Sequence, residues 1–434
     1  MMHVPPRSRS MSKSVFRVTA VYFVAHVLLL IAFDTQHPEA FLRGDRSLTR
    51  IAQIERVLAA DDFSSCLSEI YSYGLPGDYL WQAAFYRVGQ MFGSPVLCVI
   101  AAQIVLASLS LLAVAAVTFR LSGSEQATTI ACVMYACLPH MVAYPHMLVS
   151  EAVFVPLCIF ATALTVSYLA DGTRRDVVLA AAMWALAALT RPTALLLPAI
   201  VAVYALVTAP RAWRTHVFFV LISLLLLSSW FVPSYVVRGE WNISNGDPSM
   251  LGRTLQSKAD YLVTVLSGED RVQEAHWLES KKLEEFRFAD LTSLYLRHVG
   301  KALQIMAIES AKLALKFDET KVLNYLGIWE AETEWGKHLV EDPMGTVGRN
   351  KIMGLVVGVG ALVWILVLLL AVYGIAARNL DRKVLFFLVC YSVCSLAATL
   401  VVDYSQGRHR FPVDFAIVAF AACGIVRILH HTKG

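Results

Sequence analysis

The sequence predicts an all-α polytopic membrane protein with about ten transmembrane helices. Three observations carry that expectation. Of the 434 residues, 57% are hydrophobic and only 16% are charged, against about 25% charged in a soluble chain. The apolar residues come in long runs, and about 20 of them in a helix cross about 30 Å of hydrocarbon. The basic residues fall in alternate connections between those runs, as the positive-inside rule requires.

The predicted spans are 15–33, 94–118, 127–144, 151–170, 177–190, 192–208, 217–237, 351–377, 384–402 and 411–428. The fifth and sixth are short and share one apolar stretch, broken only at Thr190-Arg191-Pro192. Pro192 suits the first turn of a new helix, so a tight hairpin is expected there. With the N-terminus in the cytoplasm, the inside segments carry Arg7, Arg9 and Lys13; Arg120; Arg174 and Arg175; Arg211 and Arg214; Arg378, Arg382 and Lys383; and Lys433. The run Val15–Phe33 is long for a signal peptide and ends in no small-x-small cleavage site, which favours an uncleaved first helix. Met11 is an alternative start.

Three parts are expected. Residues 1–237 form an N-terminal transmembrane module with a first outer loop at 34–93. Residues 238–350 form a non-cytoplasmic helical loop, and 351–434 the C-terminal transmembrane helices. Within the first loop, Ser47–Ala60 places Leu48, Ile51, Ile54 and Leu58 at helical spacing. After Pro76-Gly77, Tyr79–Phe92 does the same with Leu80, Ala83, Ala84, Val88 and Phe92. Amphipathic helices of this kind lie in the membrane interface. In the large loop, Leu291–Phe317 reads as a basic amphipathic helix, part of a helical cap.

Several function classes drop out. The formal net charge is only +4 and no Lys/Arg block suggests nucleic acid. Seven of the eight cysteines lie in apolar runs, and Cys66 stands alone in a polar loop, so neither a disulfide framework nor a zinc set follows. The span middles lack the Asp, Glu, Lys and Arg that ion-coupled transport usually needs. His26, within the first span, reads as a hydrogen-bonded packing residue. Gly354-x-x-x-Gly358 reads as a helix contact.

The polar candidates cluster outside. Asp45, in Leu42-Arg43-Gly44-Asp45-Arg46-Ser47, can accept a proton from a hydroxyl nucleophile; the plainer reading is a loop carboxylate or a helix cap. Glu151 stands where an apolar helix begins, with Ser150 as its cap; yet acids at membrane depth are rare and often functional. His140 and His146 flank it, which admits a metal. Arg191, Arg408 and Arg410 break the inside bias. They either snorkel to headgroups or grip a phosphate through paired hydrogen bonds.

Five short motifs in order give the chain a resemblance. They are Asp45 in the first outer loop; Pro76-Gly77-Asp78-Tyr79-Leu80 leading to Met91-Phe92-Gly93; Ser150-Glu151; Thr190-Arg191-Pro192; and Arg408-His409-Arg410-Phe411-Pro412. In these the chain resembles the GT-C superfamily of membrane glycosyltransferases, in the bacterial branch related to protein O-mannosyltransferases and lipid A aminoarabinose transferases. The likeness is strongest over the first 210 residues and 403–428. Three positions depart from the family pattern: Thr49 stands where a Tyr is usual, Gly74-Leu75 where relatives have a Lys, and Asp78 where the Pro-Gly step has a Tyr.

The resemblance implies an inverting transfer of a hexosyl or pentosyl group from a polyprenyl-phosphate donor to a lipid, glycan or protein acceptor. It implies Asp45 and Glu151 as catalytic residues, and Arg191, Arg408 and Arg410 as ligands of the donor phosphate. No cofactor is required, although a divalent metal is compatible. The expected location is a bacterial inner membrane, with cytoplasmic termini and a periplasmic or extracellular site. Two alternatives stay open: an O-antigen-type polymerase or ligase using a lipid-diphosphate glycan, and a non-catalytic lipid-head-group transporter.

Overall fold

The computed structural model describes residues 12–35, 47–73, 75–238, 248–281, 288–305, 351–377, 379–402 and 411–432. Every regular element among them is helical. The first is α1 (Lys13–Leu29), which runs on into a π-turn at Leu30–Asp34. Three helices follow in the first loop: α2 (Ser47–Ala59), α3 (Phe63–Tyr73) and α4 (Pro76–Met91). Then come α5 (Pro95–Ser122), α6 (Glu125–Ala136), α7 (Pro139–Ala143), α8 (Glu151–Asp171), α9 (Arg174–Thr190), α10 (Leu197–Thr208) and α11 (Trp213–Arg238). The large loop contributes α12 (Pro248–Val265), α13 (Gly268–Glu279) and α14 (Phe288–Arg297). The C-terminal part is α15 (Lys351–Ile375), α16 (Arg382–Val402) and α17 (Phe411–His431).

Six of these helices are long and apolar enough to cross a membrane, or seven if a bent pair counts as one span. The chain is therefore an integral, multi-pass membrane protein. The other expected spans, α9, α10 and α16, are helices that pack among these. The expected third span, 127–144, is broken: α6 and the segment Pro139–His146 meet at 66°. Pro139 explains the break. It forces Leu138 out of the helical region, to ψ 138°. The sixth span also starts later than expected. Pro192 opens only a 3-10 turn, and α10 begins at Leu197.

Between helices in lipid, close packing rather than water expulsion drives association, so small residues line the contacts. Ala180, Ala181, Ala185 and Ala187 of α9 are fully buried, as are Ala416, Ala419, Ala421 and Ala422 of α17. Trp184 is buried among them, and its indole N–H donates to Thr165 Oγ1 at 3.0 Å. Of the expected Gly354-x-x-x-Gly358 contact, only the surroundings of Gly358 are described. Nothing lies within 4 Å of where a Cβ of Gly358 would stand. Instead α15 and α17 touch at Gly374 and Gly424, where a Cβ would collide with the carbonyls of Phe420 and Leu370. Spacing shows that two glycines share a face, but not which face meets a neighbour.

The amphipathic helices of the first loop are present, with α3 as an unexpected third between them. α2 buries Ile54 and Val57. In α4, Leu80 and Val88 of the expected apolar stripe are exposed, as is Phe92 just after it, while Ala83 of that stripe faces inward with Asp78, Tyr79, Gln82 and Tyr86. An interfacial helix has lipid on its outer side, so its apolar stripe points out and its polar stripe inward. In the large loop, α12, α13 and α14 enclose their own small core of Leu255, Leu262, Leu278, Leu291 and Leu294. Of the expected helix Leu291–Phe317, only residues up to 305 are described.

The two ends of the bundle differ in their charges. One end gathers the close of α5 and α8 and the start of α9 and α16. There Arg120 Nη1 donates to Asp171 at 3.1 Å, and the Asp381 N–H donates to the Leu121 carbonyl at 2.9 Å. The other end gathers the start of α4 and α8 and the close of α9.

Candidate functional site

Glu151 and Arg191 meet at that second end. An Arg191 Nη1 lies 3.1 Å from Glu151 Oε1, and both side chains are largely buried. Local sequence explains each position. Pro192 keeps Arg191 extended, at φ −145° and ψ 135°, which ends α9 and sends the side chain sideways. Its guanidinium also lies over the Phe154 ring, 5.5 Å from the centroid. Glu151 opens α8, where backbone N–H groups favour a negative charge. Ser150 does not cap the helix as expected. Its hydroxyl donates to Glu151 Oε2 at 3.1 Å instead.

Two further charges stand beside this pair. Asp78, in the first turn of α4, is buried and forms an ion pair with Arg50 of α2. Its Oδ1 accepts from Gln82 Nε2 at 2.7 Å. The Arg50 guanidinium lies over the Tyr79 ring at 4.6 Å, and the Tyr79 hydroxyl donates to Gln53 Oε1 at 2.6 Å. Burial pushes the Asp78 carboxyl above the usual carboxylate range, against the pull of Arg50; the charge of Glu151 adds to the rise and that of Arg191 opposes it. Asp78, Arg50, Glu151 and Arg191 therefore form one electrostatic cluster of two acids and two bases.

The backbone brings the halves together at Gly77. A Cβ there would lie 2.6 Å from Thr190 Oγ1 and 2.9 Å from the Leu189 carbonyl. Only glycine lets α4 start so close to the end of α9, one residue before Arg191. Pro76 suits the first turn of α4. The Pro-Gly step is thus a docking device between two helices.

The neighbouring histidines take separate partners. His26 Nδ1 lies 2.7 Å from His146 Nε2, with the rings stacked, so His26 has the packing role expected of it. His140 Nδ1 lies 3.8 Å from Asp414 at the start of α17. No group of three metal-ligating side chains occurs among the described residues.

Of the expected site residues, the structure brings together Glu151 and Arg191. Asp45, Arg408 and Arg410 lie outside the described residues. Sequence reasoning missed Arg50 and Asp78. Asp78 carried one signal, its departure from the family's Pro-Gly step. Arg50 carried none, since an arginine on an amphipathic loop helix reads as a solvated charge.

Comparison with known proteins bears on fold and kinship. A family model described as dolichyl-phosphate-mannose-protein mannosyltransferase matches residues 80–234. No curated protein matches the chain. The archaeal oligosaccharyltransferase AglB from Archaeoglobus fulgidus, solved with an inhibitory peptide and a dolichol-phosphate, is similar in structure. Its TM-score is 0.50 at 11% identity, covering 96% of this chain and 51% of that one. The chain thus spans about half the length of that protein. ArnT from Cupriavidus metallidurans, solved bound to undecaprenyl phosphate, has a TM-score of 0.40 at 15% identity, covering 94% of this chain and 78% of that one.

Proposed function

We propose, from the premise that the chain is a GT-C superfamily membrane protein related to the dolichyl-phosphate-mannose-protein mannosyltransferases, that it is an inverting glycosyltransferase. Its donor is a sugar on a polyprenyl phosphate. Its acceptor is a lipid, glycan or protein on the non-cytoplasmic face, in a bacterial inner membrane with both termini cytoplasmic. The observation that carries this reading is the buried Glu151–Arg191 pair at one end of a GT-C bundle.

In this reading an acceptor hydroxyl attacks the anomeric carbon. Its proton passes to the Asp45 carboxylate, and the bond from that carbon to the phosphate oxygen breaks with inversion. The leaving group is a lipid phosphate. Arg191, Arg408 and Arg410 stabilise its developing charge. Glu151 holds Arg191 in place and neutralises it in the resting site. The polyprenyl chain stays in lipid, and the outward apolar stripe of α4, with Leu80 and Val88, suits its approach. A divalent metal at this end would take Glu151 as an acidic ligand and supply further positive charge for the leaving phosphate.

The test is transfer from a labelled polyprenyl-monophosphate sugar by membranes holding matched amounts of each chain. Asp45→Asn and Glu151→Gln should each lower transfer at least about 100-fold, the size of a lost acid–base or charge-stabilising group. Normal transfer by Asp45→Asn removes that residue from the mechanism. Labelling from a lipid-diphosphate donor alone moves the protein to the polymerase or ligase class.

A further inference from the structure

Two guanidinium groups belong to the charge cluster, and the reading above uses only one. Arg50 leaves the first turn of α2 and lies flat over Tyr79. A single Nη1 donates to Asp78. The Nε and Nη2 groups donate to no described acceptor, and a guanidinium carries five N–H donors in a fixed fork. Exposure divides the pair. The Asp78 side chain is 3% exposed and that of Arg50 16%.

The cluster is also braced. Gln82 and Arg50 take one oxygen each of Asp78. The Tyr79–Gln53 bond and a 2.7 Å bond from the Tyr86 hydroxyl to Glu55 Oε1 continue the α2–α4 seam. Gly77 presses the start of α4 onto Leu189 and Thr190, beside Arg191. Arg50 feels the charge of Glu151, and Asp78 that of both Glu151 and Arg191. Two arginines, each paired with its own carboxylate, thus come from α2 and from the residue that ends α9.

We propose that Arg50 is a further ligand of the donor phosphate, beside Arg191, and that Asp78 is its positioning residue. The proposal rests on the reading of the site as one for a lipid phosphate. A guanidinium matches the oxygens of a phosphate through two parallel hydrogen bonds. Fixing it beforehand spares the rotamer entropy that a free arginine would lose on binding. Asp78 supplies that fixing without touching the ligand. Ile54 and Val57 keep α2 docked on the protein by apolar contact, so single changes at the ion pair should lower the thermal midpoint without undocking α2.

The test uses the full chain in phosphatidylcholine nanodiscs. Binding of undecaprenyl monophosphate is measured, with undecaprenol as the uncharged control, alongside the thermal midpoint of each variant. Arg50→Ala should weaken monophosphate binding about 10- to 100-fold, the effect of a lost charge-assisted hydrogen bond. Arg50→Lys, which keeps the charge but not the fork, should weaken it about tenfold. Asp78→Asn, which keeps the Gln82 contact, should raise the KM for the donor and leave kcat within about twofold. The double exchange Arg50→Asp with Asp78→Arg should restore the thermal midpoint but not the binding. Unchanged binding in Arg50→Ala and Arg50→Lys overturns this proposal alone, as does restored binding in the exchange. No monophosphate binding by the unmodified chain overturns the lipid-phosphate reading and this proposal with it.

Discussion

Two arginine–carboxylate pairs sit at opposite ends of helix α8. At its start Glu151 meets Arg191; at its close Asp171 meets Arg120. The chemistry is the same and the surroundings are not. The side chains of Arg120 and Asp171 are 37% and 34% exposed, against 15% and 5% for Arg191 and Glu151. An exposed pair is screened by water and contributes at most about 1 kcal/mol. It ties α5 to α8 at the end where basic residues gather, and nothing more is required of it. The inner pair is shielded from water, so each charge there has a larger effect on its neighbours. It also has Asp78 and Arg50 beside it. Burial, not the presence of an ion pair, marks the end of the bundle at which chemistry is sought.

This contrast can be broken at either end. The largest effect is expected from Arg191→Ala. It leaves Glu151 buried without its guanidinium, which costs about 3 kcal/mol or more. The thermal midpoint in detergent should fall by several degrees, and sugar transfer should fall at least about 100-fold. Arg120→Ala should cost under about 1 kcal/mol and leave transfer unchanged. Comparable losses from both variants would erase the distinction between the two ends.

The smallest effect lies in a fourth arginine–carboxylate site, within the large loop. Arg297 grips Glu274 with Nε and Nη2 at 2.8 and 2.7 Å, and His298 Nε2 lies 3.0 Å from the same carboxylate. The hydrogen bonds from Arg297 hold the Glu274 carboxyl below its usual range. A depressed carboxylate stabilises the fold above its unfolded pKa, and that contribution is lost as pH falls through the folded value. Acidification from about pH 6 to below about pH 4 should therefore loosen this unit. Because Arg297 is partly exposed, the effect is under about 1 kcal/mol. Trp277 lies 5.0 Å beneath Arg297 and reports the change in fluorescence, read as the difference from Trp277→Phe. An identical acid response in Glu274→Gln would remove Glu274 as its source.

The same contrast shows how far the site could be read in advance. Glu151 and Arg191 were legible because each violates a strong rule. An acid at membrane depth and an arginine on the wrong side of the charge bias both demand a reason. Asp78 and Arg50 violate no rule strongly enough. An acid in the first turn of a helix and a base on an amphipathic loop segment are ordinary on any surface. Their significance comes from α4 facing its polar side inward, which a periodicity pattern cannot reveal. The pattern shows that two faces differ, and lipid on the outside reverses which of them is buried.

By itself, then, the sequence determined the helical class, the membrane setting, most of the long helices, and the end of α9 before Pro192. All of these follow from local causes: the length of apolar runs, the stiffness of proline and the cost of burying charge. It also singled out the residues that stand against those costs. The tertiary structure alone decided the bend before Pro139 as a break in a span, the Gly374–Gly424 contact, and the meeting of four charges around Gly77. Each depends on which surfaces face one another, and that is a property of packing between segments far apart in the chain rather than of any segment alone.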